Sequence, residues 1–224
     1  MAGSGSRTSA AFPQPKPLIL VKGRPLYSWA LDGLPLQKAL NLTIIVSKEV
    51  ANYPNFKSSL KLFLPKSIET DVIVLKEKTS GQAETVKLGS ERLSPDNGML
   101  IFNCDTLISD DFPDDFLKWD GLLGTFKSSD SGMSYVKTSG NKVLQTAEKV
   151  VISDKASTGL YYFRNRKIFL EGYNNVNHVR ESYIAPMFNH LISKELKVGF
   201  FDTKKVVPLG TAQDILNFHP EEFA

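Results

Sequence analysis

The sequence predicts an α/β fold: a mixed, mainly parallel central sheet with helices on both faces. Two observations predict it. Short apolar, β-branched runs recur at Leu42–Val46, Asp71–Leu75 and Met99–Asp105, the pattern of strands buried on both faces. Between them lie stretches of helical spacing, and strands that alternate with helices imply parallel pairing.

The elements follow in chain order. Pro25 to Leu34 carries apolar residues at helical spacing with a proline near its start, which predicts a helix. Gly81 to Leu93 predicts another. After residue 120 the pattern changes. Gly121–Phe126, Ser134–Lys137, Lys142–Glu148 and Thr158–Phe163 read as short strands, with Thr138-Ser-Gly-Asn141 as the turn between two of them. Glu181–Leu196 reads as a helix with Pro186 in its first turn or two, where proline is tolerated. Lys197–Phe201 reads as a strand and Thr211–Phe218 as a closing helix with Thr211 as its N-cap.

Composition narrows the function. The 224 residues, 42% hydrophobic and 23% charged, fit one globular domain. A net charge of +3, from 27 basic and 24 acidic side chains, is too mild to argue for nucleic acid or a membrane surface. No apolar run approaches a membrane span, and the first residues contain no apolar signal-peptide core. The single cysteine, Cys104, lies in an apolar run and reads as a buried, inert thiol. His178, His190 and His219 lack metal-ligand spacing. A cytoplasmic protein is expected, and a homo-oligomer is compatible with the sequence.

Four groups of residues carry chemistry. In a parallel sheet all of them fall at strand C-terminal ends, where open α/β sheets bind ligands. The first is Ala2-Gly3-Ser4-Gly5-Ser6-Arg7 with Lys16. Glycines let the backbone approach phosphates and offer bare N–H groups, and Arg and Lys supply the charge a triphosphate requires. The same residues also fit a flexible linker or a simple turn. A loop of this type normally follows a strand, so either that strand is absent from this chain or the true start lies upstream. The second group is Ser80, Gly81 and Gln82 at a helix start. Its backbone and amide groups suit a base edge; the alternative is a plain N-cap with Glu84 in the first turn.

The third group is Asn103-Cys-Asp105-Thr106. A carboxylate at the end of an apolar strand is costly unless paired. Mg²⁺ bridging phosphate oxygens would pair Asp105, and the alternative is a cap on the next turn. The fourth is Glu148 and Lys149 with Thr158 and Gly159: an ammonium for a phosphate, and polar groups for hydroxyls. Alone, a Glu-Lys neighbour pair is usually a solvated surface pair. No Ser-His-Asp or Cys-His set is evident. What is present suits attack by a phosphate oxygen on the α-phosphorus of an NTP with loss of pyrophosphate, which needs positioning, a metal and cations rather than an enzymatic nucleophile.

Taken together, these motifs resemble the sugar-phosphate nucleotidyltransferase family, the glucose-1-phosphate thymidylyltransferase-like enzymes. The signature stands here as Gly3-Ser-Gly-Ser-Arg7, Pro15-Lys-Pro-Leu18 and Val21-Lys-Gly-Arg-Pro25. It continues through Ser80-Gly-Gln-Ala-Glu-Thr85, Phe102-Asn-Cys-Asp-Thr106, Ala147-Glu-Lys149, Ser157-Thr-Gly-Leu-Tyr-Tyr-Phe163 and Leu209-Gly-Thr211, so it covers nearly the whole chain. The resemblance implies a Rossmann-like GT-A fold and a single domain over residues 1–224, nucleotide-binding to about 120 and acceptor-binding from 121. It implies that Gly3 and Gly5 approach the nucleotide, that Arg7 and Lys16 bind its phosphates, and that Gly81 and Gln82 lie near the base. Asp105 would bind Mg²⁺, and Glu148, Lys149, Thr158 and Gly159 would face the sugar phosphate.

The subgroup resembled most is that of small proteins of capsule and surface-polysaccharide clusters. The family's second metal carboxylate is absent before Gly210-Thr211, where Pro208 stands, and Asp202 is the substitute. The implied partners are an NTP and a sugar phosphate. The competing readings are a GT-A glycosyltransferase using an NDP-sugar and a catalytically impaired relative.

Overall fold

The computed structural model describes residues 1–2, 8–109, 111–178 and 181–222. The glycine-rich loop Gly3–Arg7 therefore lies outside the described residues. Two short strands, β1 (Leu20–Val21) and β2 (Arg24–Pro25), form a hairpin that leads into helix α1 (Leu26–Asp32), close to the predicted span. Strand β3 (Asn41–Val46) is followed by α2 (Lys48–Asn52), which Ser47 caps by accepting the Val50 N–H, and by α3 (Phe56–Phe63). Strand β4 (Glu69–Val74) then returns parallel to β3, in register from Asn41↔Glu69 to Val46↔Val74.

Helix α4 (Gln82–Gly89) and strands β5 (Met99–Ile101) and β6 (Thr106–Ile108) come next. Strands β7 (Gly121–Lys127), β8 (Ser134–Ser139), β9 (Lys142–Glu148) and β10 (Lys155–Phe163) follow. The rest comprises α5 (Arg166–Asn174), α6 (Met187–Ser193), β11 (Val198–Asp202), β12 (Val206–Pro208) and α7 (Ala212–Leu216).

The chain divides into two compact units. One comprises Met1–Thr79, Asn103–Asp110 and Lys205–Ala224; the other comprises Ser80–Phe102 and Asp111–Lys204. In the first unit, Tyr27, Ile44, Val46, Val50 and Phe56 form one apolar core under β3. Ile19, Leu26, Leu107, Leu209 and Ile215 form a second. That second core holds β6 against β12 in an antiparallel pair, Thr106↔Pro208 to Ile108↔Val206.

In the second unit six strands form one sheet in the order β5-β10-β7-β11-β9-β8, and a further β10–β8 pairing closes five of them into a ring. Leu123, Val136, Val143, Phe163, Phe169 and Phe188 fill its core.

Two expectations are corrected. The sheet structure is mixed and mainly antiparallel: among the described strands only β3–β4 and β11–β7 pair in parallel. In the second half of the chain β8 and β9 form a hairpin, and β10 meets β5, β7 and β8 antiparallel. Nor are the early apolar runs buried on both faces. In β3 only Ile44 and Val46 are buried, and Val72 and Val74 of β4 are 40% and 46% exposed; among the described strands β4 pairs with β3 alone.

Candidate functional site

The residues singled out in the sequence fall into two sets, one in each unit. In the first unit Lys16 begins a 3-10 turn (Lys16–Leu18) anchored by buried Pro17 and Leu18. Asp105 lies in the turn between β5 and β6, its carbonyl accepting the Leu209 N–H at 2.8 Å where the β6–β12 pair begins. The predicted strand Met99–Asp105 ends at Ile101, and the turn that follows is what presents the carboxylate.

The Lys16 ammonium lies 2.6 Å from Asp105 Oδ2 and donates also to the Gly210 carbonyl at 2.9 Å. The Lys16 side chain is only 11% exposed and Asp105 29%, so the pair is partly desolvated and stronger than a surface pair. Cys104 beside it is partly buried, and burial pushes its thiol up, consistent with an inert thiol. Ala2 is half-buried, and Met1 packs against the β3 core.

In the second unit Ser80, Gly81 and Gln82 open α4. Glu84 reaches back and accepts from the Ser80 N–H at 2.5 Å and the Ser80 hydroxyl at 2.7 Å. The backbone bond holds its carboxyl below the usual range. The Gly81 segment is tied to Ser182 by two backbone bonds, Ser182 N–H to Ser80 O and Ala83 N–H to Ser182 O. A Cβ on Gly81 would stand 2.6 Å from both the nitrogen and the oxygen of Ser182, so glycine is required here by close approach. The N-terminal capping role of Glu84 is thus present, and it leaves the Gly81 backbone fixed at the helix start.

Glu148 and Lys149 end β9 and begin the following turn. Burial raises the Glu148 carboxyl, against the lowering effect of the Ser134 hydroxyl that donates to it. Nearby Tyr161 is pushed up to about 12, chiefly by burial. Lys149 adopts the left-handed region at φ 56°, uncommon outside glycine, and its N–H is held by Met133 O at 3.0 Å. Its ammonium donates to the Tyr183 hydroxyl, which in turn donates to Glu181. That ammonium is 3.8 Å from the Glu181 carboxylate.

Thr158 and Gly159 sit in a bulge of β10, where three residues oppose Gly124 of β7. Gly159 takes φ 83°, and Thr158 Oγ1 lies over Gly124 and accepts the Leu160 N–H at 3.2 Å. Asp202, at the end of β11, accepts from Lys155 at 2.5 Å and Thr125 at 2.8 Å. Burial pushes its carboxyl up, but these partners outweigh burial and hold it below the ordinary value. Asp105 and Asp202 belong to different units.

Sequence reading missed Gly210, Ser134, Glu181, Ser182 and Tyr183. The sequence pattern places Glu181–Tyr183 in a helix; α6 instead starts at Met187, with Pro186 as its N-cap. Among the described residues, no group of three or more His, Cys, Asp or Glu is disposed to hold a metal, and no helix is long and apolar enough to cross a membrane.

The fold is a mixed α/β one, and the solved structures it resembles are nucleotidyltransferases. Over 96% of the chain the structure is similar to the nucleoside-diphosphate-sugar pyrophosphorylase from Vibrio cholerae RC9, with 29% identity, a TM-score of 0.83 and 96% of that chain covered. It shares its fold with the inositol-1-phosphate CTP transferase from T. maritima, at 17% identity and a TM-score of 0.77 over 99% of this chain and 90% of that one. A UDP-glucose pyrophosphorylase complexed with UDP-glucose matches at 17% identity and 0.76, over 96% and 93%. These neighbours match the sugar-phosphate nucleotidyltransferase family that the motifs resemble. No family model and no curated protein matches the sequence.

Proposed function

We propose that this chain transfers a nucleoside monophosphate from an NTP to a sugar 1-phosphate, or a similar phosphorylated acceptor, and releases pyrophosphate. The observation that carries the proposal is the 29% identity, over 96% of both chains, to a nucleoside-diphosphate-sugar pyrophosphorylase. We read the fold as the Rossmann-like GT-A type and the role as NDP-sugar supply for capsule or surface polysaccharide, in the cytoplasm.

An acceptor phosphate oxygen attacks the α-phosphorus of the NTP. The bond from that phosphorus to the β-phosphate's bridging oxygen breaks, and pyrophosphate leaves with the electron pair. Gly3, Gly5, Arg7 and Lys16 take the triphosphate, and Gly81 and Gln82 take the base. Glu148, Lys149, Thr158 and Gly159 take the acceptor.

The residues present fit a divalent cation. The Lys16 ammonium already stands at 2.6 Å from Asp105 as a monovalent counterpart, and a single carboxylate with phosphate oxygens suits Mg²⁺. Bound Mg²⁺ would neutralise phosphate charge, and Asp105 would hold it; Asp202, the other candidate carboxylate, is engaged by Lys155 and Thr125. Pyrophosphate release from a panel of NTPs and sugar 1-phosphates tests the proposal. One productive pair supports it. No release with any pair, together with hydrolysis of an NDP-sugar, overturns it in favour of a glycosyltransferase.

A further inference from the structure

Lys149 is fixed at both ends. Its backbone is held in a left-handed conformation with the N–H on Met133 O at 3.0 Å. Its ammonium lies 4.8 Å from the centre of the Tyr183 ring and donates to the Tyr183 hydroxyl. The Tyr183 hydroxyl spends its own proton on Glu181, whose carboxylate stands 3.8 Å from the ammonium. That last separation is long for a charge-assisted bond, which closes at about 2.7–2.9 Å. Lys149 and Glu181 are about half exposed, with side chains 54% and 50% accessible. So the hydroxyl holds the ammonium by a direct hydrogen bond, and the carboxylate stands farther off.

We infer that Tyr183 is a positioning residue that aims the Lys149 ammonium at the acceptor's phosphate, and that Glu181 is the placeholder anion that phosphate displaces. The inference rests on the reading of Lys149 as the acceptor-phosphate ligand. Two anions cannot both sit against one half-exposed ammonium without repelling each other. An arriving phosphate, carrying more charge than a carboxylate and three acceptor oxygens, takes the ammonium, and Glu181 retains only its bond from Tyr183. The hydrogen bond that Lys149 donates to the Tyr183 hydroxyl supports the same picture by holding Lys149 above its ordinary pKa, so the ammonium stays charged.

The two residues therefore affect acceptor binding in opposite directions. Tyr183→Phe keeps the ring under the ammonium and removes the hydroxyl; it is expected to raise the acceptor KM about tenfold. The kcat and the NTP KM should stay within about twofold. Glu181→Gln keeps an acceptor for the Tyr183 proton and removes the competing charge, and is expected to lower the acceptor KM. Unchanged acceptor KM in Tyr183→Phe, or a parallel shift of kcat and both KM values, overturns the inference.

A second readout does not depend on turnover. In reductively ¹³C-methylated protein, the Lys149 resonance, assigned by its loss in Lys149→Arg, is titrated with inorganic phosphate. Half-saturation should move to higher phosphate in Tyr183→Phe and to lower phosphate in Glu181→Gln; no movement in either variant overturns the inference. If these shifts occur while no NTP and acceptor pair releases pyrophosphate, the proposed function fails and the positioning role stands. If pyrophosphate is released and neither variant changes the acceptor KM, the positioning role fails and the function stands.

Discussion

Lys16 and Asp105 are 89 residues apart in the chain, and the ammonium of one lies 2.6 Å from the carboxylate of the other. The pair joins the turn after Pro15 to the turn ahead of β6, and the Gly210 carbonyl completes it. A largely buried ammonium that loses its carboxylate keeps, among the described residues, a neutral carbonyl, so the pair is structural as well as chemical.

Asp105→Asn is expected to lower pyrophosphate release by about 100-fold or more, the scale seen when one preorganised charge partner is removed. It should also cost about 1–3 kcal/mol of stability from the undercompensated Lys16, measurable as a lowered denaturant midpoint. Arg7→Ala is expected to remove turnover as well. Full activity in either variant refutes the role assigned to that residue.

Gly81→Ala should destabilise the second unit by about 1–3 kcal/mol, the cost of forcing atoms into a packed contact. Its new methyl would meet Ser182 backbone atoms at 2.6 Å, which cannot swing aside as a side-chain tip would. Ser80→Ala removes a hydroxyl that bonds Glu84 and Ser182, leaves that space open, and should cost about 1 kcal/mol. A urea series on the two variants checks the order, and equal midpoints would contradict it.

Glu148 gives a pH-dependent outcome. Burial raises its carboxyl in the folded state, so the folded chain binds this proton more tightly than the unfolded chain. The resulting stabilisation is fully present below the unfolded value, about 4.3, and is lost as pH rises through the folded pKa. Glu148→Gln cannot ionise, so its Tm should exceed that of the wild type at pH 7 and converge with it near pH 4. A constant difference across that range would show that ionisation is not responsible.

Metal removal should silence the reaction. Excess EDTA is expected to abolish pyrophosphate release, and Mg²⁺ in excess of chelator to restore it. In Asp105→Asn the Mg²⁺ concentration for half-maximal rate should rise. An Asp105→Asn enzyme with wild-type Mg²⁺ dependence would remove Asp105 from the metal.

Local signals were legible and long-range pairings were not. Thr138-Ser-Gly-Asn141 marked the β8–β9 hairpin because turn residues act over a few positions. Thr211 marked the start of α7, where its side chain and that of Asp214 form a reciprocal capping box. By contrast β6 and β12 have three residues each, too short to show a period, and their pairing joins positions such as Thr106 and Pro208. Helix α5 was missed although Asn165 caps it by accepting the Ile168 N–H at 2.9 Å. A lone asparagine after a strand reads equally well as a turn.

The candidate site divides in the same way. Lys16, Asp105, Glu148 and Lys149 could be chosen from residue type and motif. Tyr183 could not, because its contact with Lys149 crosses 34 residues and no local pattern marks it.

Strand β10 has a consequence beyond the site. Its nine residues bond to β7 along most of their length, to β5 at one end and to β8 at Ala156. No neighbour can peel away without releasing part of β10, so there is no low-energy local opening that frees this strand alone. Its ladder-bonded amides should exchange with solvent only when the whole second unit unfolds. The hydrogen-exchange rates at Tyr161–Phe163 would then report that unit's global stability, making this buried strand an internal gauge for every variant placed in it.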